Sequence, residues 1–356
     1  MITLNQHRAS LTQALVAQFL DQAKVKTGFG AFFPAKTTQA KQISIEVERH
    51  GKPIAVDVQR CTDPIRNVFS KSTEKIFVPP YFHESFDFTL CQSYDVTFGR
   101  GVVPQGSFTQ SIFQEANKEL LAIQNKIKRA VLLQQAQVLI NGIVTLKNGD
   151  NIDYKRKAGS MVTKSVAAEK WTAPTTSDPV KDLKAAGEFL RGTGNSGASE
   201  LNAIMGSQAF ENFMASSKVL ALGDIRNVNR VAIDMPMMDN VSGLTLQAKV
   251  GAGDFIVYVW TYNETYENAS GVETRYLDTN TVVVLPTDFV GNTVYAGLPA
   301  VMGDAISGQY IANVEAEFLV YDVIDQKKRA WEYIVDSAPL VVPVSVDRIY
   351  TLVTTS

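Results

Sequence analysis

Gly192-Thr193-Gly194-Asn195-Ser196-Gly197 spells G-x-G-x-x-G, the pattern of a loop whose backbone amides cradle a pyrophosphate. That chemistry needs the loop to follow a strand and open a helix, so that the helix N-terminus faces the anion. Here the apolar periodicity puts a helix before the loop and a strand after it. The order is reversed, and the stretch reads as a flexible loop.

Few other groups could do chemistry. None of the histidines, His7, His50 and His83, stands at metal-ligand spacing from another His or a Cys. They read as surface or internally satisfied side chains. Cys61 and Cys91 carry no nucleophile signature and read as buried spectator thiols. Met205-Gly206-Ser207-Gln208 lacks the second glycine of a nucleophile elbow, so Ser207 reads as a helix cap. Lys155-Arg156-Lys157 and Lys327-Lys328-Arg329 are short basic runs that could meet phosphates, a neighbour's carboxylates or only solvent. Sequons at Asn263 and Asn268 matter only in a secreted eukaryotic protein. No catalytic, cofactor-binding or metal-binding set emerges.

The bulk numbers agree with that. The chain has 356 residues, 45% hydrophobic and 20% charged, enough for two or three domains. A net charge of -2 gives no global signal for nucleic acid. Two cysteines make no disulfide framework and suit a reducing compartment. No apolar run approaches the roughly 20 residues of a membrane helix, so no membrane partner is expected. Residues 1–10 lack the pattern of a secretory signal, which places the chain in a cytoplasm.

Elements follow from periodicity. Leu11, Leu15, Phe19 and Ala23 make an amphipathic helix that stops at Thr27-Gly28-Phe29-Gly30 and has no local partner. Ile43, Ile45 and Val47 alternate with polar residues, Arg49 to Pro53 is turn chemistry, and Ile54, Val56 and Val58 alternate again. This predicts a hairpin with one charged face and one apolar face that wants cover. Residues 76–106 are extended and rich in aromatics that should pack. The longest helix is predicted over 110–140, with Ile112, Ala116, Leu120, Ile123, Ile127, Val131 and Val138 on one face and Asn141-Gly142 as its stop. An α/β unit follows over 146–310. Asp178-Pro179 opens a helix, a short strand runs from Leu201 to Met205, and strands are predicted at 244–250, 255–262, 275–277 and 281–285. Residues 311–356 return to extended chain.

In this order and spacing, VLINGIVTLKNGDNIDYKRK, then Trp171, then DPVKDLKAAGEFLRG and AIMGSQAFENFMASSKV resemble the major capsid proteins of tailed bacteriophages. The similarity is to the branch that includes the coat protein of phage lambda. Ala173-Pro174-Thr175 and Ile152-Asp153-Tyr154 depart from the family's pattern. The resemblance implies an α+β fold, the HK97-like capsid fold. Its parts would be an N-terminal arm (1–35), an extended β-hairpin loop (36–90), a peripheral domain with a spine helix (91–145), an axial domain (146–310), and C-terminal strands returning to the peripheral domain (311–356). It implies a shell protein of the virion, assembled in the host cytoplasm, that encloses double-stranded DNA through non-specific contacts. The partners implied are the chain itself as hexamers and pentamers, a separate scaffolding protein, a portal and a decoration protein. No cofactor is implied.

If the shell reading holds, the predicted intersubunit contacts are Ile43, Ile45, Val47, Lys52, Ile54 and Val56 of the hairpin, with Lys328 and Arg329 of the second basic run. A covalent crosslink at Lys52 is not expected, since lambda-like relatives use decoration proteins. An encapsulin-like compartment shell is the near alternative within the same fold. A cytoplasmic α/β enzyme using the glycine-rich loop is the alternative from another class.

Overall fold

The computed structural model describes residues 26–48, 72–89, 105–146, 151–223, 231–238, 242–268, 270–304, 308–325 and 330–355. After a 3-10 turn, Gly28–Phe32, come β1 (Ala35–Thr37), β2 (Ile43–Glu48), β3 (Ser72–Phe77) and β4 (Phe82–Thr89). The long helix α1 (Gln105–Ile140) follows, then β5 (Ile143–Thr145), β6 (Asn151–Asp153) and β7 (Met161–Thr163). Next stand α2 (Pro179–Gly192), β8 (Glu200–Met205), α3 (Ser207–Ala215) and α4 (Ser217–Gly223). The strands β9 (Val231–Met238), β10 (Thr245–Ala252), β11 (Phe255–Thr261), β12 (Thr265–Glu267), β13 (Glu273–Arg275) and β14 (Thr281–Pro286) come after them. The chain continues through β15 (Asn292–Tyr295), β16 (Leu298–Asp304), β17 (Gly308–Val314), β18 (Leu319–Asp325), β19 (Ala330–Ser337), β20 (Pro339–Val342) and β21 (Tyr350–Val353). The class is α+β, as the sequence reading expects.

The largest sheet has seven strands in the order β7-β21-β14-β8-β11-β10-β9. Its inner strand β14, Thr281–Pro286, is buried at every residue, and the two sides of its pleat face different cores. Val282 and Val284 join Leu201, Ala203 and Met205 against α2 and α3. Val283 and Leu285 join Ile204 against Val131, Leu132, Val138 and Leu139 of α1. A strand covered on both faces reads as a continuous apolar run, which is why TVVVLP shows no alternation in sequence. The β10–β11 hairpin turns at Gly253-Asp254, where Gly253 has φ +64°.

Asp178 caps α2 as expected: its carboxylate accepts from the Lys181 amide at 3.0 Å, with Pro179 in the first turn. Gly206, not Ser207, stands at the cap position of α3, and no side chain caps that end. Ser207 is the first helical residue, which corrects the sequence reading. Glycine is required at 206 because a Cβ there would lie 2.3 Å from the Asp278 carbonyl oxygen.

A second sheet, β18-β19-β4, packs its inner face on the middle of α1. Tyr333 and Val335 cover Ala116, Leu120 and Ile127, and Phe86 stacks on Tyr333 at 5.1 Å. The 311–356 segment therefore divides. β18 and β19 return to the long helix, whereas β21 enters the seven-stranded sheet beside β14 and β7.

Burial pushes the phenols of Tyr154, Tyr262, Tyr295 and Tyr333 well above the ordinary tyrosine range. The folded state holds these protons while the unfolded chain ionises near pH 10. Stability is therefore full below about pH 10 and is lost as pH rises through the folded values. Phenolate absorbance followed alongside circular dichroism should show the buried tyrosines ionising only as the fold is lost. Ionisation near pH 10 with the fold intact would contradict this.

Candidate functional site

The predicted hairpin is paired differently from the expectation. β2 pairs antiparallel with β3, from Ile43↔Phe77 to Glu48↔Ser72. The sequence reading had given it residues 54–58 as partner. Two alternating runs close in sequence suggested a tight turn, but the described register joins strands separated by residues 49–71. Ile43 sits at the base of this ribbon and is 8% exposed within the main core cluster of its own chain. Little of its surface is left for a neighbour. Ile45 and Val47 lie on β2. Lys52, Ile54 and Val56 fall outside the described residues, as do Lys328 and Arg329, His7 and His50, and both cysteines.

The expected arm ends in an anchor. Phe29 and Phe33 are buried, against Tyr262 and Phe289 respectively. Gly28 has φ +54°, and a Cβ there would meet the Tyr262 hydroxyl at 2.6 Å. The sequence showed the glycines as a stop but not the phenylalanines as plugs, because apolar residues beside glycines carry no period. The amphipathic stretch 11–23 lies outside the described residues.

The glycine-rich loop is tied down rather than flexible. Ser196 Oγ donates to Asp288 Oδ1 at 2.7 Å, and the Gly197 amide donates to Asp288 Oδ2 at 3.2 Å. Arg348 donates to the carbonyls of Gly194, Asn195 and Asp288. A Cβ at Gly194 would lie 2.6 Å from the Asp347 carbonyl oxygen. The protein's own Asp288 carboxylate thus takes the loop amide that a phosphate would need, which removes the one dinucleotide-like feature of the sequence.

The first basic run is also absorbed. Arg156 is largely buried, and its guanidinium donates to the carbonyls of Leu139 and Ile140 at 3.1 Å each, the last turn of α1. It also donates to Thr351 Oγ1 and to the carbonyls of Ser160 and Ile349. Burial lowers its pKa to about 10, partly countered by the Asp347 carboxylate, so it stays charged at neutral pH. A cation at the C-terminal end of a helix is favourable, and a charge with this many acceptors can be buried. Gly142, with φ +70°, ends the helix as predicted, and its missing Cβ makes room for the Arg156 side chain. Lys157 donates to the Thr193 carbonyl and lies 3.6 Å from Asp347. These residues are internal fasteners, neither a solvated turn nor a phosphate site.

His83 Nδ1 lies 2.6 Å from Asp336 Oδ1, a buried carboxylate. Among the described residues no group of three or more His, Cys, Asp or Glu side chains could hold a metal ion. Among them, too, no helix is long and apolar enough to cross a membrane. A cleft of about 980 Å³ lies between Lys126, Arg129 and Leu133 of α1 and Tyr266, Glu267 and Glu273 of the β12–β13 hairpin. It is wide open and gathers no catalytic set. What the geometry presents is a long helix, three sheets packed on it (the seven-stranded sheet, β18-β19-β4 and β1-β15-β20) and the β2–β3 ribbon.

One solved structure shares that fold. A crystal structure assigned to the capsid protein of a prophage from E. coli CFT073 aligns over 99% of both chains, with 16% identity and a TM-score of 0.63. A phage-related protein from Bordetella bronchiseptica RB50 aligns over 96% of both, with 11% identity and a TM-score of 0.49. The first of these establishes a shared fold, the HK97-like capsid fold the sequence suggested. No curated protein sequence matches the chain. A family profile described as phage major capsid protein E matches residues 9–354. The chain belongs to the phage major capsid protein E family.

Proposed function

We propose that the chain closes into an icosahedral head from rings of six and five copies, and that the head encloses double-stranded DNA. The observation that carries this reading is the match to a capsid family over residues 9–354, nearly the whole chain. In the proposed division, α1 and the β18-β19-β4 sheet form the peripheral domain. The seven-stranded sheet with α2 and α3 forms the axial domain, and the β2–β3 ribbon is the base of the extended loop. The work is mechanical. Head-to-tail contacts around a ring propagate until they close. Segments that gain their burial only on a neighbour couple their folding to assembly.

The wall meets DNA through few, non-specific contacts. Tight binders neutralise several phosphates with clustered Lys and Arg, whereas here Arg156 is already committed to backbone carbonyls of its own chain. No residue does covalent chemistry on a small substrate. A separate scaffolding protein, a portal and a decoration protein complete the head, which assembles in the host cytoplasm. Ile45, Val47, Lys52, Ile54, Val56, Lys328 and Arg329 remain the proposed intersubunit contacts.

Velocity sedimentation of the purified chain tests this. The chain of 39.0 kDa should run as particles of many copies together with free capsomers. A single monomeric boundary at every concentration and ionic strength, with scaffold supplied, would count against it.

A further inference from the structure

The hydrophobic core between α1 and the seven-stranded sheet is extensive but not directional. Apolar burial scales with the area covered and is indifferent to small rotations of one body on another. Val131, Leu132 and Leu139 share one core cluster with Val283 and Leu285, and this packing holds the two bodies together. A charge-assisted fork does fix an angle, because donors and acceptors must align.

We infer that Arg156 is the positioning residue that sets the angle of the long helix to the seven-stranded sheet, and through it the curvature of the shell. The inference rests on the shell reading above. Its guanidinium joins three segments: the end of α1 through Leu139 and Ile140, the loop before β7 through Ser160, and the final strand and its approach through Thr351 and Ile349. The joint is cross-braced. Thr351 Oγ1 itself donates to the Leu139 carbonyl at 2.9 Å, and the Thr351 amide donates to the same Ser160 carbonyl that Arg156 reaches. The final strand is in turn held to the sheet by its antiparallel register with β14. Gly142 gives the Arg156 side chain its passage.

The lever is long. At about 1.5 Å per residue, the helix extends roughly 54 Å from this joint, so a tilt of about 5° moves its far end by about 5 Å. Side-chain contacts between subunits fail over a smaller displacement than that. Lysine would keep the positive charge but offers no planar fork, so the geometry and not the charge is the argument.

The test compares Arg156→Lys with wild type and with a core truncation of matched melting temperature, Val257→Ala or Leu183→Ala. Thr351→Val, which removes the hydroxyl brace and keeps the shape, stands in if Arg156→Lys fails to fold. Two readouts are taken. Hydrogen exchange on unassembled subunits should show about a tenfold loss of protection at residues 349–353 and at the end of the long helix. Electron microscopy of assembled material should show a broadened diameter distribution or open shells for the joint variant, and wild-type diameters for the core truncation. Unchanged protection overturns the joint. Wild-type diameters for Arg156→Lys, or an equal spread for the core truncation, overturn its control of curvature. If the wild type forms no particles, the shell reading fails, and the exchange data still decide whether the joint exists.

Discussion

Replacing Trp171 with alanine is expected to lower the unfolding free energy by about 3–5 kcal/mol, the range for emptying a large aromatic site in a packed core. Trp171 is fully buried, under α2 and α3, and lies 5.9 Å from the Phe213 ring. Its indole Nε1 donates to Asp182 Oδ2 at 2.9 Å, while Lys164 donates to the other oxygen at 2.7 Å. The substitution therefore opens a cavity and takes away one of the two partners of a half-buried carboxylate. Trp171→Phe separates the effects, since it restores most of the volume and none of the hydrogen bond. It should lose less than the alanine variant but more than a typical surface change. Urea unfolding at constant m-value measures both. A loss under about 1 kcal/mol for the alanine variant would mean that the site collapses around the gap, which interiors packed to crystal density seldom do.

The second large effect is expected at Gly206. Its φ is -68°, an ordinary value, so an alanine there meets no backbone strain. The obstacle is space. The new Cβ would lie 2.3 Å from the Asp278 carbonyl oxygen and 2.5 Å from that of Thr279. Both are backbone atoms of the loop that leads into β14, and neither can rotate away. Overpacking usually costs about 1–3 kcal/mol, and a clash with immobile backbone belongs at or above the top of that range. Gly206→Ala should thus lose about 3 kcal/mol or more, with loss of exchange protection in β8 and β14. Gly192→Ala is the natural control, because nothing lies within 4 Å of a Cβ at that position. Equal stability of the two variants would contradict the packing described.

The sequence carried many of the regular elements well. The long helix showed its apolar stripe, Asp178-Pro179 and Asn141-Gly142 marked helix ends, and β10, β11 and β14 fell close to their predicted spans. The family resemblance over 138–219 then supplied what periodicity could not, the order of the parts. What stayed hidden is long-range. The partner of β2 is β3, a pairing that depends on register across 49–71 and not on the nearest alternating run. Phe29 and Phe33 have no period to announce them as anchors. Arg156 shows in the sequence only as part of a short basic run and Arg348 not at all, because their carbonyl acceptors come from backbone distant in sequence, and a backbone carbonyl has no letter in the sequence. The glycine-rich loop reads as flexible in the sequence yet is tied down, since Asp288 and Arg348, which hold it, come from far along the chain.

The central claim is that this chain is the wall of a closed head. Cryo-electron microscopy of particles assembled from the purified chain, with scaffold supplied where needed, tests it most directly. The account predicts closed icosahedral shells of pentameric and hexameric rings, with the long helix and the seven-stranded sheet recognisable in every subunit and residues 44–76 lying against a neighbour. Isolated monomers, or a single closed ring that never joins others, under all assembly conditions would contradict it.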